Sequence, residues 1–106
     1  MKAFLRIVLA AALVFGAAAV HAAGKTHAVR IEGMKFVPER LEVAAGDTIV
    51  WTNKDIVPHT VTAAEAKVES GELPTGKSFK FVARKSGEMS YICRLHPVMH
   101  GMVVVK

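Results

Sequence analysis

Cysteine occurs once in the 106 residues, tryptophan once, tyrosine once and proline four times. A single cysteine excludes an intramolecular disulfide, the usual staple of small exported domains. Charge of one sign never accumulates: 14 Lys and Arg and 9 Asp and Glu are spread along the chain, so the formal charge of +5 describes a solvated surface rather than a nucleic-acid-binding patch. After Gly24 there is no low-complexity stretch, internal repeat or linker. Paired carboxylates, a phosphate-cradling glycine loop and a Ser, His and Asp arrangement are absent too, which leaves no motif for hydrolysis or group transfer.

The one long apolar run stands at the front. Lys2 and Arg6 lead into Ile7 to Val20, and Val20-His21-Ala22 offers small residues at the spacing of a cleavage site. The run is shorter than the roughly 20 residues that a membrane span needs. Residues 1–22 therefore read as a secretory signal peptide and residues 23–106 as one mature domain, of 84 residues with a charge of about +3. Such a domain buries only a modest core. Export puts it in an oxidising compartment, where the lone Cys93 has to be buried, paired between molecules or occupied by a metal.

Turn residues punctuate the domain at short, even intervals: Gly33, Pro38, Ala45-Gly46-Asp47, Asn53 to Pro58, Ser70-Gly71, Pro74 to Gly76, Ser86-Gly87 and His96-Pro97. Between them the alternation predicts strands over His27–Ile31, Leu41–Val43, Thr48–Thr52, Thr60–Thr62, Ser78–Val82, Met89–Cys93 and Met102–Val105, which suits a β-sandwich. Period-two spacing puts Ile49 with Trp51, Phe79 with Phe81, and Met89, Tyr91 and Cys93 on apolar faces. Ala63 to Val68 has the composition for a turn or two of helix within a connection.

The chemistry is concentrated near the C-terminus. Cys93-Arg94-Leu95-His96-Pro97-Val98-Met99 gathers a thiolate, an imidazole and a thioether within seven residues of one loop. A fourth donor has to come from elsewhere, and His59 is the candidate. It follows Pro58, which fixes its own φ and pushes Val57 toward extended backbone, so the imidazole is held ahead of any metal. Alone, Cys93 reads as a small buried hydrophobe, Met99 as core filler and either histidine as a satisfied side chain. Together, two His, one Cys and one Met are the donors of a blue-copper site. Thiolate and thioether suit Cu(I), imidazole accepts Cu(II), and an intermediate geometry lessens the rearrangement on electron transfer. Those are the properties of a carrier, not of an enzyme. Zinc competes for Cys and His, but it gains little from a thioether and its structural sites usually use more than one Cys. Two functions fit a copper site of this kind: a one-electron carrier, or an exported copper carrier or chaperone that hands on the metal itself.

At these residues the chain resembles the cupredoxins, and among them it looks most like the amicyanins, whose ligand loop has the short Cys-x-x-His-Pro-x-Met form. Gly33-Met34-Lys35-Phe36, Val43 through Asn53, Pro58-His59 and Gly101 to Val105 follow the family's order, so the resemblance covers nearly the whole mature chain. It implies an all-β, Greek-key sandwich of about seven to eight strands and one type 1 copper per chain, held by His59, Cys93, His96 and Met99. It further implies a periplasmic monomer that passes electrons between redox proteins, a dehydrogenase or a cytochrome, and binds neither nucleic acid nor, after cleavage, a membrane.

The resemblance also implies that Asn53, six residues before His59, ties the two ligand loops together, with one bond from its backbone to the Cys93 sulfur. His96 is expected at the surface inside an apolar collar of Met34, Val57, Pro58, Leu95, Pro97 and Val98, with Arg94 and His100 nearby to orient an acidic partner or simply to be solvated. Three departures stand out: Leu95 occupies a usual Pro position, Val98 a usual Phe position, and the connection from His59 to Cys93 is shorter than in amicyanins.

Overall fold

The computed structural model describes residues 24–106, so the signal-peptide reading of residues 1–22 lies outside the described residues. Nine strands form among the described residues: β1 (Thr26–Ile31), β2 (Phe36–Val37), β3 (Arg40–Val43), β4 (Thr48–Asn53), β5 (Thr62–Ala63), β6 (Val68–Glu69), β7 (Ser78–Val82), β8 (Gly87–Cys93) and β9 (His96–Val105). They build a four-stranded sheet in the order β2-β1-β4-β7 and a five-stranded sheet in the order β3-β9-β8-β5-β6. Each sheet is mixed, because β1 runs parallel to β4 and β3 parallel to β9 while the remaining pairs are antiparallel. Among the described residues no helix is long and apolar enough to cross a membrane.

Alternation decides which side chains are removed from water. Val29 and Ile31 of β1 and Ile49 and Trp51 of β4 join Met89, Tyr91 and Cys93 of β8 and Val103 and Val105 of β9 in one core cluster between the sheets. Burial of each large apolar side chain contributes about 1.5–3 kcal/mol. The Trp51 ring meets Tyr91 edge-on at 5.4 Å, and Tyr91 in turn meets Phe36 at 4.7 Å, so aromatic contacts clamp the two sheets. Burial pushes the Tyr91 phenol up to about 12. Directly opposite Tyr91 on β9 stands Gly101, and a Cβ at that position would overlap the tyrosine ring. Phe79 and Phe81 are only half-buried, because β7 is the edge strand of its sheet.

The structure has two more strands than alternation predicts. The strands β2, β5 and β6 are two residues each, too short for a period to be read from sequence. The strand expected over Thr60–Thr62 begins only at Thr62, because His59 pairs with Leu73 in an isolated bridge. The connection after it holds a single 3-10 turn over Ala64–Ala66, closed by Lys67 in the left-handed region at φ 58.

The larger difference concerns the ligand loop. The strand expected over Met102–Val105 runs from His96, so most of the expected loop is strand. Cys93 pairs with His96 and Ile92 with His100, leaving Pro97, Val98 and Met99 as a three-residue bulge in β9. Arg94 and Leu95 alone turn the chain between the two strands.

Candidate metal centre

His59 reaches the site because its backbone is clamped on both sides. Its N–H bonds the Leu73 carbonyl at 3.3 Å and its own carbonyl accepts the Leu73 N–H at 2.8 Å. Asn53, fully buried at the end of β4, shapes the loop that leads there. Its Nδ2 donates to the Val57 and Leu73 carbonyls at 2.8 and 2.7 Å, and its Oδ1 accepts the Asp55 N–H at 2.8 Å. Cys93 closes β8 on the inward face and His96 opens β9, which brings the two within one hairpin turn.

The side chains of His59, Cys93 and His96 converge, with one ligand atom from each lying within 4.8 Å of the others. The Cys93 Sγ is 3.7 Å from the Nδ1 of His59 and 3.7 Å from the Nδ1 of His96. A first-row metal ion about 2.0 Å from an imidazole nitrogen and about 2.3 Å from a thiolate sulfur spaces those two atoms by about 3.7 Å when they sit at trigonal angles. The two sulfur–nitrogen separations would suit an ion held by His59, Cys93 and His96. His59 and Cys93 are fully buried, whereas His96 is partly exposed. The two imidazole rings meet edge-on at 5.2 Å. Met99 is buried at the end of the β9 bulge, three residues beyond His96.

The residue that binds the two ligand segments together is Thr60, which sequence reasoning overlooked. Its N–H points at Cys93 Sγ from 3.4 Å, and its Oγ1 accepts the N–H of Arg94 at 2.9 Å. The expected backbone donor to the sulfur, Asn53, instead gives its N–H to the Lys77 carbonyl at 3.0 Å. The correction has a simple cause: Asn53 belongs to the β4 ladder, while Thr60 follows His59 directly and its backbone therefore faces Cys93. Position alone, one residue after the histidine, was the signal available.

Asp55 was also overlooked. Its Oδ2 lies 2.8 Å from His59 Nε2, and the same carboxylate accepts the N–H groups of Gly33 at 2.8 Å and Met34 at 3.0 Å. Burial works to raise this carboxyl, but the Met34 and Gly33 donors and the His59 ring hold it below its ordinary value.

Around His96 the expected collar is exposed apolar surface: Met34, Val57, Pro58, Pro97 and Val98 face solvent, and Leu95 is partly buried against the core. Ile56, absent from the expected set, is 93% exposed, and Val98 83%. Arg94 pairs with Glu69 at 3.1 Å and His100 with Glu39 at 3.1 Å, so neither is an uncompensated cation beside the collar.

Comparison with known proteins agrees with this architecture. A family model described as a cupredoxin-like domain matches residues 5–105. Amicyanin-alpha of Methylorubrum extorquens is 34% identical over 92% of this chain and 94% of its own. The Cu(I) form of an amicyanin variant superposes with a TM-score of 0.72 at 31% identity, over 87% of this chain and 90% of that one. A purple cupredoxin from Nitrosopumilus maritimus does so with a TM-score of 0.67 at 30% identity, over 76% and 99%. Family model, sequence relatives and solved structures agree, and the chain belongs to the cupredoxin-like family, within which it is similar to the amicyanins.

Proposed function

We propose that this chain is an exported type 1 copper protein that carries single electrons between redox proteins and is not an enzyme. His59, Cys93, His96 and Met99 would hold the ion, the thioether as the weak donor of the set. Copper bound there would cycle between Cu(II) and Cu(I). The observation that carries this reading is the convergence of His59, Cys93 and His96, with one ligand atom of each within 4.8 Å of the others.

The chain's own residues define the route. His59 and Cys93 are sealed from water, so the partly exposed His96 edge is the way out for an electron. The surrounding Ile56, Val57, Pro58, Pro97 and Val98 form a small apolar surface without a free cation from Arg94 or His100. Such a surface suits a brief encounter, in the class that buries less than about 1,200 Å². The reading includes removal of residues 1–22 after export, a periplasmic location for residues 23–106 as a monomer, and a dehydrogenase or cytochrome as partner.

Titration with Cu(II) tests the assignment. The expected result is an intense blue colour saturating at one ion per chain, lost in Cys93→Ala. Stoichiometric copper without colour overturns it. Retention of copper through repeated reduction, in the presence of a Cu(I) chelator, supports electron carriage; ready release supports delivery of the metal.

A further inference from the structure

The strand β7 is an open edge of its sheet, and its free backbone groups can be assigned residue by residue. Asn53 donates its N–H to the Lys77 carbonyl at 3.0 Å, and Ala83 donates to the Asp47 carbonyl at 2.8 Å. Residues that exchange hydrogen bonds alternate along an antiparallel ladder, so Phe79 and Phe81, in phase with Lys77 and Ala83, bond across to Trp51 and Ile49 of β4. The N–H and C=O groups of Ser78, Lys80 and Val82 point the other way, where no strand lies among the described residues. Lys80 is exposed, whereas Phe79 and Phe81 are half-buried against the core. Phe81 also lines an open cavity of about 390 Å³ with Met89, Arg84 and Lys85, so apolar surface beside this edge is reachable from outside.

Charge is spread along the chain as a whole, yet this edge is an exception. Lys77, Lys80, Arg84 and Lys85 fall between Gly76 and Gly87 with no Asp or Glu among them. None of the four is in an ion pair among the described residues, whereas Arg30, Arg40, Arg94 and Lys106 each have a carboxylate. A second copy of the chain is a poor occupant, because antiparallel pairing of two such edges about Lys80 sets lysine opposite lysine. We propose that the β7 edge is a docking site for an extended acidic segment of another protein, added antiparallel as a further strand of the four-stranded sheet. Backbone bonds to Ser78, Lys80 and Val82 supply the affinity. Alternation sets the sequence that fits: acids on the outer face, opposite Lys80, and apolar residues on the inner face, beside Phe79 and Phe81. The site uses none of the metal-site side chains and stands whatever the metal.

Proton–nitrogen NMR of the metal-free protein, titrated with a short synthetic peptide of alternating glutamate and valine, tests the proposal. The expected result is slowed hydrogen exchange at the Ser78, Lys80 and Val82 amides. Binding should weaken as salt is raised. It should also weaken about tenfold in Lys80→Glu, where attraction across the pair becomes repulsion. The same peptide with its backbone N-methylated, or with lysine in place of glutamate, should leave those amides unprotected. Equal binding of the N-methylated peptide overturns strand addition, and equal binding of the basic peptide overturns the charge match; either result defeats the proposal. Amides left unprotected by the acidic peptide defeat it as well, and mean that the cations serve only to keep this edge from pairing.

Discussion

Thr60 holds Cys93 and its neighbour from two atoms at once: its N–H approaches the Cys93 sulfur at 3.4 Å, and its hydroxyl oxygen accepts the Arg94 N–H at 2.9 Å. The two roles separate by mutation. Thr60→Val keeps the shape and the N–H but leaves the Arg94 N–H without its acceptor, at a cost of about 1–2 kcal/mol. Urea denaturation of the metal-free protein should show that loss, while the visible band of the copper form stays in place because the bond to sulfur is untouched.

Asn53 makes three hydrogen bonds from a fully buried side chain. Truncation in Asn53→Ala removes these bonds from the Val57 carbonyl and the Asp55 N–H and takes one of two donors from the Leu73 carbonyl, so we expect a loss of about 3 kcal/mol. A denaturation midpoint that barely moves would mean that the loop from Asn53 to His59 is held by other contacts.

Gly101 lies beneath the Tyr91 ring, where a methyl group has no room. Gly101→Ala should destabilise the fold by about 1–3 kcal/mol through overpacking between β8 and β9. Thermal unfolding followed by near-ultraviolet circular dichroism reports both the lower Tm and the displaced tyrosine.

Asp47 accepts hydrogen bonds from His27, at 2.8 Å, and from the backbone of Ala44 and Lys25, and these hold its carboxyl at about 2. The unfolded chain titrates this group near its ordinary value, about 3.9. A depressed folded value stabilises the native state above the unfolded value, and that contribution fades as pH falls through the folded value. Asp47 therefore adds to the steepness of acid unfolding between about pH 4 and pH 2. Asp47→Asn should flatten that part of a stability-against-pH curve; an unchanged slope would show that Asp47 is not the group responsible.

Met99 is buried three residues beyond His96. If it is the weak axial donor, Met99→Leu removes a ligand that favours Cu(II), so the potential rises and the colour persists. Loss of copper binding on the same change would make Met99 a principal ligand. Cyclic voltammetry and absorption on one sample distinguish the two.

What could be read from the residues alone was set by how local the physics was. Cys93 and His96 are three apart in one hairpin, and Pro58 marks the approach to His59, so the convergence of these three side chains was legible before any coordinates. The apolar faces of β4 and β8 followed from period-two spacing, and Ile49, Trp51, Met89, Tyr91 and Cys93 are all buried. Thr60 and Asp55 were not legible, because their roles depend on which segment is folded against them: Arg94 lies 34 residues from Thr60 and Gly33 22 residues from Asp55. Asn53 was expected to tie the two ligand loops and to reach the sulfur, but its bonds stay with Asp55, Val57, Leu73 and Lys77, and the tie to the Cys93 segment comes from Thr60.

The bulge of Pro97, Val98 and Met99 interrupts β9, and beyond it regular pairing runs on from His100 opposite Ile92. The length of that detour is thus decoupled from the sandwich beneath it: residues added to or taken from it alter where the terminal sulfur arrives without disturbing the ladder on either side. One scaffold can accordingly host ligand arms of different reach, and colour and potential become adjustable by swapping a segment shorter than a single turn of polypeptide helix.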